Sequence, residues 1–444
     1  MKVLVLNGSP KGKYSITLQT LLYLEKSFPE HEFQYLHVGQ SIRSFEKDFT
    51  AAAEAITESD LIIYSYPVYT FIAPSQLHRF IELLKASDLD VEGKFITQVT
   101  TSKHFYDMTA HRYIQDNHQD LDMKFIKGLS ADMDDLLTEN GQKAAREFFQ
   151  YVLWCIENDV YEVIPKHPVA PAHIPVGTYS EKQDIKSGDI VIVTDCQRDD
   201  KQLNDIIERF RAALKYKSRI VNIYEYPFSG GCLGCFNCAI SEKCIYKDGF
   251  DDFLRNNIQI ADAIIYAFSI KDHSMGPTFK MYDDRQFCNG HRTVTMGKPT
   301  GYLISGNYPA EMNLQMIIEG RSEVGGNFLA GVACDQTDPD TEIDRLAARL
   351  DYALRHNYSQ PVNFYGVGGM KIFRDLIWLM RGMMKADHKF YKKHGLYDFP
   401  QKKKGTALKM HLVGMLLSSP KLKAKIGNNM NEGMIAPYRK VIEK

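Results

Sequence analysis

The sequence lacks several features that would place it in other protein classes. It has no uninterrupted apolar run of about 18 residues, the length that a transmembrane helix needs. The opening residues, MKVLVLNGSP, carry an apolar run of only four residues before a turn, which is too short for the core of a signal peptide. We therefore expect a cytoplasmic protein without membrane-spanning helices.

Cysteine is scarce outside one short segment. Of the 8 cysteines, four lie in CLGCFNCAISEKC, at Cys232, Cys235, Cys238 and Cys244. In a reducing compartment such a group indicates metal or redox chemistry rather than a disulfide framework. The C-x2-C-x2-C-x5-C spacing favours a [4Fe–4S] cluster, because bacterial sites begin with the same run. Zinc sites usually use two pairs a dozen or more residues apart, so zinc is a weaker alternative, and free thiols that pack a loop are another.

The common nucleotide loops are missing as well. The segment NGSPKGKYSIT follows the first predicted strand, and it has neither the Walker GK[ST] ending nor a GxGxxG fingerprint. It does have glycines, hydroxyls and a cation in front of a predicted helix, whose free amides and dipole favour a dianion. These residues are Gly8, Gly12, Ser9, Ser15, Thr17 and Lys11. The segment therefore predicts a phosphate site, with a polar turn that binds nothing as the alternative.

Two halves of the chain repeat one order of elements. Short apolar strands alternate with helices of 10–15 residues, which is typical of a parallel sheet covered on both faces. DLIIYSYPVY in the first half corresponds to DAIIYAFSIK in the second. The pattern predicts an α/β protein with two doubly wound sheets arranged as a pseudo-dimer.

The predicted domain bounds follow composition. The four prolines of IPKHPVAPAHIPVG predict an extended linker, and the chain after the second half is basic. From Phe364 onward there are 17 lysines and arginines against 5 aspartates and glutamates. The predicted parts are 1–163, the linker 164–187, 188–358 with the cysteines, and a helical extension 359–444.

Two interpretations of the basic extension stay open. It can dock on the acidic body as a helical cap or close a substrate pocket. Alternatively, its basic, apolar helices lie on an anionic membrane surface as a peripheral contact. Nucleic-acid binding is not expected, because no recognition module is present.

The motifs resemble a known family. NGSPKGKYSIT, followed about 50 residues later by YPVYTFIAPSQLHRFIE, resembles the flavodoxin-like NAD(P)H-dependent FMN reductases, and with the cysteines it is similar to their iron–sulfur flavoprotein branch. The resemblance implies two tandem flavodoxin-like sheets of order 2-1-3-4-5, FMN, NAD(P)H as donor, and a possible homodimer. It implies that the phosphate is held by Ser9, Lys11, Ser15 and Thr17. It implies that the flavin ring is edged by Pro67, Val68, Tyr69 and Thr70 and closed on the far side by Thr101, Ser102 and His104. Members often have Asn where this chain has Ile16.

The second half departs from this pattern. Its turn reads DCQRDDKQ, in which Asp195, Asp199 and Asp200 repel a phosphate. We therefore expect one flavin per chain, in the first half, with the cysteine loop of the second half facing it. No acid or base is assigned, since hydride transfer needs positioning more than proton chemistry.

Two functions from different classes remain. The first is an oxidoreductase that passes electrons between a two-electron donor and a small-molecule or electron-carrier acceptor, through FMN and a cluster. The second is a non-catalytic, degenerate flavodoxin-like scaffold that binds a partner.

Overall fold

The computed structural model describes most of the chain. The described residues are 1–162, 173–179, 185–336 and 338–419. Packing divides the chain into two units, Met1–His388 and Lys389–Lys444.

The first half contains one parallel sheet. Its strands are β1 Lys2–Asn7, β2 Glu32–Leu36, β3 Leu61–Pro67, β4 Phe95–Ser102, β5 Lys124–Phe125 and β6 Leu129–Asp132. The order is β2-β1-β3-β4-β5, and β6 continues the last position by pairing with β4. The central strands β1 and β3 are mainly apolar, and all of their residues except Lys2 and Pro67 are buried, because helices cover both faces. These helices are α1 Ile16–Ser27, α2 Val38–Phe45, α3 Thr50–Glu58, α4 Ser75–Ala86, α5 Asp107–Gln119 and α6 Glu139–Glu157.

The second half repeats this architecture. Its strands are β7 Lys186–Thr194, β8 Tyr216–Asn222, β9 Ala263–Ser269, β10 Pro299–Ser305 and β11 Phe328–Cys334. They are parallel in the order β8-β7-β9-β10-β11, so both sheets have the predicted order 2-1-3-4-5. The helices are α7 Lys201–Ala213, α8 Asn237–Ser241, α9 Phe250–Phe253, α10 Gly276–Arg285, α11 Met312–Gly325 and α12 Pro339–His356. The predicted fold class of two flavodoxin-like sheets is confirmed.

Equivalent helices join the two halves. Helix α4 packs against α10, and α5 packs against α11. Asp272 crosses this interface, where its carboxylate accepts a hydrogen bond of 2.8 Å from the Tyr113 hydroxyl and pairs with His78 Nδ1 at 2.6 Å. All three side chains are buried. The contact brings the carboxyl ends of β3 and β4 next to loops of the second half.

The remaining elements are helical. They are α13 Phe364–Leu379, α14 Lys385–Lys393 and α15 Lys404–Leu417. Helix α13 packs on α11, and its Phe373 ring stacks on Phe105 with centroids 4.5 Å apart. This part of the basic extension therefore caps the body, as one of the two interpretations expected. Within the described ranges, every helix is too short or too polar to cross a membrane. Membrane contact of the extension stays a prediction.

The predicted linker is described only in part. Residues 164–172 and 180–184 of it lie outside the described residues. In the described piece, the Ile174 amide donates to the Asp335 carbonyl at 2.9 Å, so this piece runs along the second sheet's carboxyl end. Strand β7 begins at Lys186, within the predicted linker. The bounds of the four predicted parts stay predictions.

Candidate functional site

The turn between β1 and α1 is fixed by hydrogen bonds among its own residues. The Asn7 side chain accepts from the Ser9 amide at 3.1 Å and donates to the Gly12 carbonyl at 2.9 Å. Gly12 has a φ of +54°, which its lack of a side chain permits. The Ser15 hydroxyl caps α1 by accepting from the Leu18 amide at 3.4 Å. The turn is thereby fixed with its hydroxyls at a helix N-terminus, the arrangement that anions prefer.

The loop after β3 is tightly folded. Tyr69 and Ile72 exchange two backbone hydrogen bonds of 2.8 and 3.1 Å. Between them, Thr70 and Phe71 have φ values of +41° and +75°. Burial raises the pKa of Tyr69 far above its ordinary value, and neighbouring Cys232 and Asp284 add to the effect. The phenol therefore stays protonated.

The end of β4 offers an unused hydroxyl. The Thr101 Oγ1 atom is buried, and it has no hydrogen-bond partner among the residues described. The Ser102 hydroxyl accepts from the His104 amide at 2.9 Å. The His104 ring pairs with Asp107 at 2.7 Å, and its side chain is about half exposed. A buried hydroxyl without a partner is costly, so Thr101 fits a site that a polar ligand completes.

One cavity of about 220 Å³ joins these loops. Ten of the eleven predicted flavin residues line it: Ser9, Lys11, Ser15, Thr17, Pro67, Val68, Tyr69, Thr70, Thr101 and Ser102. His104 is not part of the lining within the described chain. The four clustered cysteines line the same cavity: Cys232, Cys235, Cys238 and Cys244. The structure therefore brings the cysteine loop of the second half to the predicted flavin site of the first, while the individual contacts with FMN stay predictions.

The cysteine loop lies directly on the first half. Gly234 has a φ of +60°, and any Cβ there would collide with the Tyr69 hydroxyl. The Lys11 ammonium group lies 5.7 Å from the centre of the Phe236 ring. Phe287 meets the Tyr69 ring edge to face, with centroids 6.0 Å apart. Glycine at position 234 is thus what lets the two loops touch.

The sulfur atoms receive hydrogen-bond donors. The Gly234 amide donates to Cys232 Sγ at 3.4 Å, and Arg285 Nη2 lies 3.8 Å from Cys244 Sγ. Burial raises the pKa of Cys238 to about 11 and the pKa of Cys232 further still. Buried thiols of this kind ionise when a metal cation replaces the lost hydration, and N–H donors then stabilise the ligating sulfur.

The cysteines match a cluster in ligand chemistry. All four line one cavity, and two of them have N–H donors of the kind that ligating thiolates use. Across the described ranges, however, no three or more His, Cys, Asp or Glu side chains converge at distances suited to a metal ion. A cluster therefore belongs to the proposals below.

Other lining residues were not predicted from the sequence. Cys288 is buried and lines the cavity, and burial raises its pKa to about 12. Arg285 is fully buried; its guanidinium pairs with Asp248 at 2.8 Å and lies over the Tyr246 ring at 4.5 Å. Helix α13 also contributes three apolar side chains to the cavity lining: Ile372, Phe373 and Leu376. Only the cysteine count could have drawn attention to Cys288, and nothing in the sequence separates Arg285 from other helix cations.

The equivalent place in the second half is acidic, and two of its carboxylates have partners within the chain. Asp200 caps α7, as Ser15 caps α1, and its second oxygen accepts from the Ser269 hydroxyl at 2.6 Å. Burial raises the pKa of Asp195 to about 7, with Asp200 contributing. His173, from the predicted linker, pairs with Asp335 at 2.9 Å. Carboxylates and a piece of the predicted linker therefore lie where the first half has hydroxyls and a lysine.

A doubly wound sheet whose strand-end loops form such a cavity defines a flavodoxin-like protein. Residues 1–128 match the family model described as NADPH-dependent FMN reductase. An iron–sulfur flavoprotein of Archaeoglobus fulgidus is 26% identical over an alignment of 173 residues that covers 37% of this chain and 78% of that protein. The predicted resemblance to FMN reductases and their iron–sulfur flavoproteins is thereby confirmed, and with it the oxidoreductase class.

Solved structures show further similarity. General stress protein 14 of Treponema denticola, determined in complex with FMN, is 12% identical with a TM-score of 0.29, covering 34% of this chain and 98% of that one. An FMN-dependent NADH-azoreductase of Bacillus anthracis is 13% identical with a TM-score of 0.28, with the same coverage.

Proposed function

We propose that this chain is an FMN-dependent oxidoreductase that takes electrons from NAD(P)H and passes them, through a [4Fe–4S] cluster on the four clustered cysteines, to an acceptor. The observation that carries the proposal is the single cavity that ten predicted flavin residues share with all four cysteines. The family match over residues 1–128 supports the flavin half of the proposal. The Archaeoglobus relative supports the iron–sulfur half.

FMN supplies the chemistry of accepting two electrons as a hydride and releasing them singly. The residues of the chain bind and orient it. Ser9, Ser15 and Thr17 offer buried hydroxyls to the phosphate, and Lys11 offers a positive charge. Thr101 has a hydroxyl available for a polar atom of the ring. These groups bind and orient the coenzyme, and none of them needs to act as an acid or base catalyst.

The remaining walls exclude water and hold the thiols. The side chains of α13, including Phe373 and Leu376, close one side of the cavity. Cys232, Cys235, Cys238 and Cys244 would hold the cluster, which supplies one-electron transfer. Arg285 and the Gly234 amide lie where they neutralise charge on two of these sulfurs.

The proposal is tested by anaerobic purification and absorbance spectroscopy. We expect flavin bands together with a broad iron–sulfur shoulder that bleaches on reduction, and about four iron atoms per chain. The Cys238→Ser variant should lose the iron and keep the flavin. The matched control Cys155→Ser, at a buried cysteine of α6, should keep both. A colourless protein that cannot be reconstituted with FMN would support the scaffold function instead.

A further inference from the structure

The loop after β3 has a backbone that its own sequence does not favour. Thr70 and Phe71 are consecutive non-glycine residues with left-handed φ values of +41° and +75°. Such conformations are uncommon for residues with a Cβ and persist when the surroundings impose them. Both residues lie beside the predicted flavin site, so whatever holds the loop also sets the shape of that site.

Helix α10 of the second half fixes the loop after β3 through hydrogen bonds. Lys280 Nζ donates to the Tyr69 carbonyl at 3.1 Å and to the Thr70 hydroxyl at 2.5 Å. The Thr70 hydroxyl in turn donates to Asp284 Oδ1 at 2.8 Å. The other oxygen of Asp284 accepts from the Ser75 amide at 2.8 Å, at the start of α4. Lys280 and Asp284 of α10 therefore hydrogen-bond to both ends of the loop after β3 in the first half.

The two anchoring side chains are completely buried and oppositely charged. Lys280 and Asp284 have 0% exposed side chains and form an ion pair with each other. Asp283 lies 3.5 Å from Lys280 and pairs with Arg321, so the group is neutral overall. Apolar side chains of similar volume often replace a buried ion pair without loss of stability. Directional hydrogen bonds to the loop are what apolar side chains cannot supply.

We propose that Lys280, together with Asp284, is a positioning residue that shapes the flavin site of the first half from the second half. Lys280 is absent from the cavity lining within the described chain, whereas Tyr69 and Thr70 belong to it. Lys280 therefore acts through the loop and does not touch the coenzyme. This inference rests on the proposed FMN function, and it assigns the second half a structural part in flavin binding.

The test uses the full-length chain and a charge-balanced replacement. K280M/D284L removes both charges and keeps most of the buried volume. We expect it to bind FMN at least about tenfold more weakly than wild type, since it loses hydrogen bonds that order the loop. We also expect faster deuterium exchange at the amides of Tyr69 and Ile72, which the two loop hydrogen bonds protect. This second readout needs no coenzyme.

The matched control is R209M, which removes a buried guanidinium that pairs with the exposed carboxylates of Asp340 and Asp344 between α7 and α12 of the second half. It should leave FMN affinity and loop exchange unchanged, even where it lowers the melting temperature. If K280M/D284L does not fold, D284N serves as a second variant with nearly the same shape and the same expected direction. The inference is overturned if a folded variant binds FMN with wild-type affinity and shows wild-type exchange. A wild-type protein that does not bind FMN would instead refute the proposed function.

Discussion

The two strand-to-helix turns, one in each half, occupy the same position in the fold and differ in side-chain chemistry. The first turn, after β1, presents hydroxyls, a lysine and the N-terminus of α1 to a cavity. The second, after β7, presents Asp195 and Asp200, and the latter caps α7. The parallel sheet fixes where a ligand can bind, whereas the side chains decide whether an anion can enter.

The second half contributes other residues to the predicted flavin site of the first half. It contributes the cysteine loop, which touches Tyr69 at Gly234, and the anchoring pair Lys280 and Asp284. At its own equivalent of the flavin site, the second half has carboxylates and His173. The second half therefore contributes residues to the neighbouring site, whereas its own turn is acidic.

The largest expected effect comes from giving the first turn the acidic cap of the second. Ser15→Asp keeps a good N-cap for α1, so the helix should form normally. We expect FMN affinity to fall about a thousandfold, because a carboxylate about 4 Å from a phosphate repels it by ~4 kcal/mol at an effective dielectric constant of 20. Fluorescence titration of the apoprotein measures the loss.

The mirror substitution is the control. Asp200→Ser gives the second turn the cap of the first, and it should leave both the affinity and the number of bound FMN molecules unchanged. Wild-type binding by S15D would show that the first turn does not face the phosphate.

The next effect concerns the stability of the second turn. Because burial raises the pKa of Asp195 to about 7 from an ordinary value of 3.8, the folded protein holds this proton more tightly than the unfolded chain does. Its contribution to the free energy of unfolding is complete below pH 4 and is lost as the pH rises through about 7. The loss amounts to roughly 4 kcal/mol, since the pKa differs by about three units and one unit corresponds to about 1.4 kcal/mol.

The variant Asp195→Asn should remove this dependence. Urea denaturation at pH 5 and pH 8 should give a smaller difference in unfolding free energy for D195N than for wild type, and D195N should be the more stable protein at pH 8. If the unfolding free energy changed equally between pH 5 and pH 8 for the two proteins, Asp195 would titrate normally and the second turn would tolerate a charge.

The smallest expected effect comes from two substitutions in β4, one of which should affect FMN binding and the other protein stability. Thr101→Val removes the buried hydroxyl that has no partner in the described chain, and we expect about tenfold weaker FMN binding with no loss of apoprotein stability. Thr100, the adjacent residue, bonds to His111 at 2.7 Å. Thr100→Val should therefore lower the melting temperature and spare FMN affinity, and the same result from both variants would refute the assignment of Thr101.

The sequence predicted the sheets and the first-half loops that line the cavity because both follow from local patterns. Apolar runs such as LIIYSY mark buried strands, and parallel strands bring their carboxyl ends to one edge. Lys280, Asp284 and Arg285 could not be recognised. In TFKMYDDRQF they look like the charged face of a helix, and only the packing of α10 on α4 shows that this face is buried. Likewise, the pairing of His173 with Asp335 joins residues far apart in the chain, which no local pattern records.

Calorimetric titration of the apoprotein with FMN measures how many coenzyme molecules the two halves bind. We predict one FMN per chain, bound at the turn after β1, with an affinity that S15D lowers about a thousandfold and D200S leaves unchanged. Two FMN molecules per chain, or none, would contradict this prediction.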